Sequence, residues 1–401
     1  MNSPSPADPR VPQLDLDPFD EAVLREPYEA QRLLRDAGPV VWLTRYESYA
    51  VARYGSVAKV VQDPTQFSSA AGVGLAHLGR PGAWRERSPI VEVDPPEHTV
   101  VRTAMNRILS PSVIRGWRDG FVAEARRICD ELLARGTIDG YGDVAMPYVN
   151  AVFTSALGIE PNPRNFQIVG HHSANAAGPR NRLFEQSQAA LESIMDWYKR
   201  SQTSAALVAG GFGERVFAAE AAGEMPPGTA SPMMRTLVRG GLDTTISGIA
   251  TTLLMFARQP SQYELVRRDP ALLLPAFEEA LRLESPTSAV YRTTTDSAEI
   301  EGIRLLADVK VQMCIGAANR DPRQFDDADQ FEVMRRARHT LSFGGGPHNC
   351  LGQRIARLEA ECLLGELASR VARIELVGPP VWEAVNNLRT LRELPLRLVP
   401  N

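Results

Sequence analysis

The ten residues FGGGPHNCLG, Phe343–Gly352, constrain this chain more than any other stretch. Three consecutive glycines make a loop that bends tightly and lets another group come close to the backbone. After Cys350, the apolar residues Leu351, Ile355 and Leu358 recur at helical spacing. Cys350 therefore sits where a loop enters a helix. Free N–H groups and the positive end of the helix favour a thiolate there. Such a thiolate is a nucleophile, a redox thiol or a metal ligand, and the other motifs must decide among the three.

Composition narrows the field. The chain has 401 residues, 44% hydrophobic and 23% charged, which is ordinary for a soluble globular protein with a large core. A net charge of −4 gives no reason to expect nucleic acid as a partner. The four cysteines, Cys129, Cys314, Cys350 and Cys362, form no C-x-x-C pair and imply no disulfide framework. A reducing cytoplasm fits them. The opening MNSPSPADPRVPQLDLDP is proline-rich and polar, with no apolar run for a signal peptide or membrane anchor. Residues 1–15 are expected to be disordered. No repeat or linker interrupts the remainder, so 16–401 is expected to form a single domain.

VVWLT and SYAVA flank RYE and read as an early hairpin. Four long stretches read as helix, beginning VIRGWRDG, QSQAALES, PMMRTLVRGG and ALLLPAFEE. Strand-like runs return at AVYRTTT, VKVQMCI and LRTLRELPLRLV. The fold class is mainly α with small β-sheets at one side.

EEALR places Glu279 and Arg282 three apart on one helix, where their side chains can meet. Read alone, this is a surface ion pair worth little. DPPEHTVVR puts His98 and Arg102 four apart on one face, in isolation a solvated face. Arg292 lies in the strand-like VYRTTT, and His348 lies two residues before Cys350. Two arginines and two histidines together can clamp carboxylates or phosphates. RGGLDTTISG sets Gly240 and Gly241 inside an apolar helix, each costing on the order of 1 kcal/mol against alanine. Asp243 and Thr244 follow directly. The stretch is either a kink whose polar side chains cap themselves, or a close approach for a flat ligand beside a proton relay.

Taken together, these motifs resemble those of the bacterial cytochrome P450 family over nearly the full chain. FGGGPHNCLG matches the haem-thiolate loop, EALR the E-x-x-R motif, GGLDTT the oxygen-activating helix and HTVVR the H-x-x-x-R helix under the haem. Four such motifs in order are far more specific than one. The resemblance implies haem b with Cys350 as the proximal thiolate, which pushes electron density onto iron. It places Gly352 near the sulfur, where N–H groups tune it, and Phe343 as its shield. It assigns His98, Arg102, Arg292 and His348 to the haem propionates. Glu279 and Arg282, with Arg335 as third member, resemble the pair that braces this region. Thr340 stands where many relatives have histidine; His339 is one place off and receives no role.

Asp243 and Thr244 resemble the family's acid–alcohol pair, which implies a monooxygenase using O2 and electrons rather than peroxide. With no fused reductase or membrane anchor, electrons are expected from a separate ferredoxin and an NAD(P)H-dependent reductase. Arg102, Arg107, Arg115, Arg118, Arg354 and Arg357 are expected to give a basic face that steers an acidic ferredoxin; scattered solvated arginines are the alternative.

A closer resemblance concerns substrate. AWRERS, NAAGPRN, GGFG, LESP and RTTT look like the P450s that oxidise para-substituted benzoates. In that group an arginine and a serine help hold the substrate carboxylate, here Arg85 and Ser88. Thr236 and Gly240 of the distal helix are further expected contacts. Ala174, Ala177 and Val290 stand where that group often has phenylalanine, and Arg239 replaces a small residue. Smaller walls imply a larger or differently placed substrate. The added arginine implies an anionic one, or a new pair with Asp243. The implied reaction is hydroxylation or O-demethylation of an aromatic or other carboxylate-bearing small molecule. A natural-product tailoring oxidase and a non-catalytic haem sensor are the alternatives.

Overall fold

The computed structural model describes residues 5–6, 8–296, 298–335 and 339–401. The chain begins with β1 (Gln13–Leu14), α1 (Glu21–Arg25) and α2 (Tyr28–Ala37), then the hairpin β2 (Val41–Leu43) and β3 (Ser48–Val51). After α3 (Tyr54–Gln62) and β4 (Phe67–Ser68), a long loop leads to α4 (Glu97–Ile108), α5 (Pro111–Arg115) and α6 (Arg118–Leu133). The short β5 (Ile138–Asp139) and a π-helical turn precede α7 (Met146–Leu157), α8 (Pro163–Ala177), α9 (Arg182–Glu192), α10 (Met195–Arg200) and α11 (Phe212–Ala221). Then come α12 (Ala230–Gly240), α13 (Asp243–Arg258), α14 (Pro260–Arg268) and α15 (Leu273–Glu284). Strands β6 (Val290–Thr294), β7 (Glu299–Ile300), β8 (Ile303–Arg304) and β9 (Lys310–Met313) follow, then α16 (Ile315–Asn319) and α17 (Gln353–Arg370). The chain closes with β10 (Val371–Leu376), β11 (Val381–Glu383), β12 (Thr390–Glu393) and β13 (Pro395–Pro400).

The expected hairpin forms: Trp42 faces Tyr49 across antiparallel β2 and β3. It belongs to a six-stranded sheet ordered β1-β2-β3-β9-β6-β4. Apolar residues of α3 (Val57, Val60, Val61) close one core against this sheet, with Trp42, Tyr49 and Phe67. A larger core joins the helices. Through it runs α13, buried at thirteen of its sixteen residues, the polar Asp243, Thr245, Ser247, Thr251 and Thr252 among them.

Several expected elements are subdivided. The helix beginning at Pro232 is two helices, α12 and α13, because the Gly241 N–H closes on Leu237 O and the helix restarts at Asp243. The stretch from Val113 breaks after Arg115 into α5 and α6, and that from Gln186 into α9 and α10. LRTLRELPLRLV is two strands, β12 and β13. The disordered segment expected over 1–15 is corrected in its described part. Val11 is buried in the sheet-side core, and Gln13–Leu14 pair in parallel with β2. No helix among the described residues is long and apolar enough to cross a membrane.

Candidate active site

The loop before α17 is shaped by its glycines. Gly344 and Gly346 adopt φ of +69° and +58°, a region open mainly to glycine. A side chain at Gly346 would also meet the Val61 carbonyl of α3. The turn closes when Cys350 N donates to Phe343 O at 2.8 Å. Cys350 is exposed toward the cavity beside it, whereas Cys129, Cys314 and Cys362 are buried. Burial pushes those three thiols up to about 12, 12 and 11. Burial also raises the Cys350 thiol, but the N–H groups of Gly352 and Gln353 and the Arg102 and Arg357 charges act against it. The Phe343 ring lines the same cavity, with the Arg357 guanidinium 4.7 Å from its centroid.

This cavity has a volume of about 380 Å³ and reaches from the Cys350 loop to the α12–α13 junction. At its edge four anion-seeking groups have donor atoms left open among the described residues. Arg102 forms no ion pair among the described residues, and Arg292 donates only to Tyr291 O at 2.9 Å. The Nε2 atoms of His98 and His348 are buried without a hydrogen bond, the two rings 4.4 Å apart. Burial lowers the Arg292 guanidinium to about 10 and the His348 imidazole to about 4. Buried polar atoms left unpaired are costly, so this edge is built for an absent anion with several oxygens.

Beneath it lies a buried brace. Arg282 donates to both oxygens of Glu279, at 2.8 and 2.9 Å, and both side chains are fully buried. Arg335 donates to the same carboxylate at 3.0 Å. The surface ion pair of the isolated motif is thus a core triad.

Across the cavity, Thr244 lines the wall. The Asp243 carboxyl is buried with neither oxygen hydrogen-bonded. Burial pushes it up to about 6, against the lowering effect of His171. Asp243 does not pair with Arg239, which donates to Tyr198 Oη at 2.6 Å and to Glu86 at 3.3 Å. The wall also holds Glu359 of α17, unforeseen from the sequence, although it sits four residues after Ile355 on an apolar face. Burial pushes its carboxyl up to about 8 from 4.5. A raised carboxyl takes up a proton on folding, so its contribution is intact below about pH 4.5 and is lost as pH rises toward 8. Glu359→Gln is therefore expected to stabilise the protein by on the order of 3 kcal/mol at pH 7 and by little at pH 4.5. Denaturant titrations at the two pH values check this, and an equal effect at both would contradict it.

The substrate positions divide. Thr236, Gly240 and Val290 line the cavity. Arg85, Ser88, Ala174, Ala177 and Arg239 are not among its lining residues. Arg85 instead pairs with the buried Glu92 at 3.3 Å, a partner the sequence did not reveal. Ser88 stands one step behind the wall and accepts a hydrogen bond from Thr236 Oγ1 at 2.8 Å. Arg235 donates to Arg87 O and pairs with Glu86, a further contact sequence reasoning missed. Of the expected basic face, Arg107, Arg118 and Arg357 are paired with Glu224, Glu361 and Glu278. Arg102 faces the cavity, while Arg115 and Arg354 are exposed without ion pairs among the described residues.

A flat metal complex bearing two carboxylates fits these groups: a thiolate for the metal, and four buried or half-buried cationic or N–H donors for the carboxylates. That chemistry defines a haem-thiolate protein. The chain belongs to the cytochrome P450 family, whose profile matches residues 222–370. Over its whole length it is 41% identical to cytochrome P450 CYP199A2 of Rhodopseudomonas palustris, covering 98% of that protein. It is 30% identical to the β-dihydromenaquinone-9 ω-hydroxylase of Mycobacterium tuberculosis, over 96% of this chain and 79% of that one. Among solved structures, CYP109Q5 of Chondromyces apiculatus matches with a TM-score of 0.79 at 28% identity, over 96% of this chain and 98% of that one. The protein is a P450 monooxygenase, and its cofactor is haem b.

Proposed function

We propose that this enzyme inserts oxygen into an aromatic or other carboxylate-bearing small molecule, by hydroxylation or O-demethylation. Its electrons come from a ferredoxin and an NAD(P)H-dependent reductase in the cytoplasm. One observation carries the substrate reading. The distal wall is apolar at Val73, Phe153, Met233, Leu237 and Val290, and among these residues it carries a polar spot, the Thr236 hydroxyl on Ser88, in the loop that carries Arg85. Of the cations lining the cavity, Arg102 and Arg292 are the ones proposed to hold the propionates. A substrate carboxylate therefore finds its donor in the Thr236 hydroxyl, turned from Ser88 toward the cavity, with Ser88 and Arg85 behind the wall, and its ring among the apolar residues.

Bound through Cys350, the haem supplies O2 activation. This chain's residues do the rest: His98, Arg102, Arg292 and His348 hold the propionates, Thr244 offers a hydroxyl at the wall, and burial raises the Asp243 carboxyl to about 6, so that it takes up a proton more readily than an exposed carboxylate. Gly240 and Val290 leave the wall open enough to keep a second reading, tailoring of a bulkier neutral metabolite. Exposed Arg115 and Arg354 offer an acidic ferredoxin its contacts.

Spectral titration of an aromatic acid against its methyl ester separates the readings. The acid is expected to bind at least tenfold more tightly, about 1.4 kcal/mol. Arg85→Ala should remove most of that preference. Equal affinity for acid and ester in the wild type would leave the bulkier neutral substrate.

A further inference from the structure

Among the described residues, the basic side chain that comes within ion-pair distance of the buried Asp243 carboxyl is a histidine. Its Oδ2 lies 4.0 Å from Nε2 of His171 on α8. On the far side, Nδ1 of His171 lies 3.9 Å from Oε1 of Glu383 on β11. Side-chain exposure falls along this line, from 34% at Glu383 through 15% at His171 to 7% at Asp243. Neither the Asp243 oxygens nor His171 Nε2 has a hydrogen-bond partner.

We infer that His171 is the residue through which protons enter this site, passing them from Glu383 at the surface to buried Asp243. The inference rests on the reading of Asp243 as the proton carrier beside Thr244.

Local packing favours this path. A Cβ at Gly170 would stand 2.0 Å from Asp243 Oδ2, so the carboxyl can lie against α8 only because residue 170 has no side chain. That fixes it beside the next residue, His171. The groups facing Asp243 are His171 from α8, Glu383 from β11 and the buried Tyr141 phenol, which burial raises further from titration. The neighbouring His172 is turned to Ser187 and Phe184 instead. Arginine or lysine in place of His171 would hold its proton at neutral pH. Imidazole has two ring nitrogens, one toward each carboxyl, so it can take a proton on one side and release one on the other.

The step balances without a redox change. His171 accepts a proton at Nδ1 from Glu383 or solvent, and the ring becomes a cation. Its Nε2 proton then passes to Asp243 Oδ2, leaving a neutral ring protonated at Nδ1, which a ring turn resets. Both gaps exceed hydrogen-bond length and are too short for an intervening water. Each therefore closes by a side-chain shift of about 1 Å.

The test is a pH-jump infrared measurement on the resting holoenzyme. The Asp243 carboxyl band, identified by its loss in Asp243→Asn, is followed as the protein is taken from alkaline to acid pH. In His171→Gln, and in His171→Asn as a second variant, protonation of Asp243 is expected to slow at least tenfold, with Glu383→Gln slowing it less. Substrate affinity, read by spectral titration, should not change. An unchanged protonation rate in both histidine variants would overturn the inference. Slowed protonation with wild-type turnover would leave His171 as the entry route and refute Asp243 as the proton source for the reaction.

Discussion

Cys350→Ala is expected to abolish the red-shifted Soret band of the reduced carbon monoxide complex while leaving a folded protein. The argument is one of access. Of the four cysteines only Cys350 opens on the cavity; the others are buried, their thiols held well above neutral pH. None can move to the metal without unpacking the core. His348 is two residues away, but its ring packs against His98 at the propionate edge. The fold should survive because the loop depends on backbone features that alanine keeps: the Cys350 N–Phe343 O bond and the left-handed Gly344 and Gly346. The apoprotein's stability is expected to change by less than about 1 kcal/mol. A thiolate-type band persisting in Cys350→Ala would remove the assignment of this residue.

That loop was legible in the sequence because its determinants are local: glycines for the turn, and a cysteine immediately before a helical period. The four residues of the propionate edge were legible only as members of a motif set. His98, Arg102, Arg292 and His348 come from α4, β6 and the thiolate loop, and no local pattern unites them. Their missing partners appear only once the fold brings them together.

The substrate side was read less well, for a physical reason. Arg85 read as a substrate anchor and Arg239 as an anchor or a partner of Asp243, but acids of one loop reach both. Glu92 reaches Arg85 and Glu86 reaches Arg239, and those pairings depend on how residues 81–94 settle over α12. The distal break was foreshadowed by Gly240–Gly241, but its place, between two separate helices, was not. His171 carried no sequence signal, since a single histidine on an amphipathic helix is commonplace. Glu359 did carry one, a carboxylate on the apolar face of α17. At the N-terminus, proline and polar residues outweighed Val11, which the sheet buries.

Arg282→Ala is expected to destabilise the protein by at least 3–5 kcal/mol, the cost of breaking a buried ion pair by deleting one partner. Arg282 makes five hydrogen bonds: two to Glu279, and one each to the carbonyls of Asn319, Ala328 and Gln330. Alanine leaves the three carbonyls without this donor, and leaves Glu279, among the described residues, with Arg335 Nε and Glu332 N. The damage has a route to the haem site. Asn319 accepts from Leu341 N at 2.8 Å and donates to Ser342 Oγ, which in turn donates to Leu281 O. Leu341 and Ser342 are the residues from which the Phe343–Cys350 loop departs, so the brace holds the base of the thiolate loop. A domain's total stability is about 5–15 kcal/mol. The variant is therefore expected to retain little haem and to unfold at much lower denaturant. Arg282→Lys keeps the charge without the planar fork and should recover only part of the loss. Arg335→Ala, at a partly exposed member of the triad, should cost less than half as much. Denaturant unfolding followed by far-UV circular dichroism, with haem content measured alongside, tests the series. If Arg282→Ala fell within 1 kcal/mol of wild type, with normal haem content, the triad would not be the support of the thiolate loop.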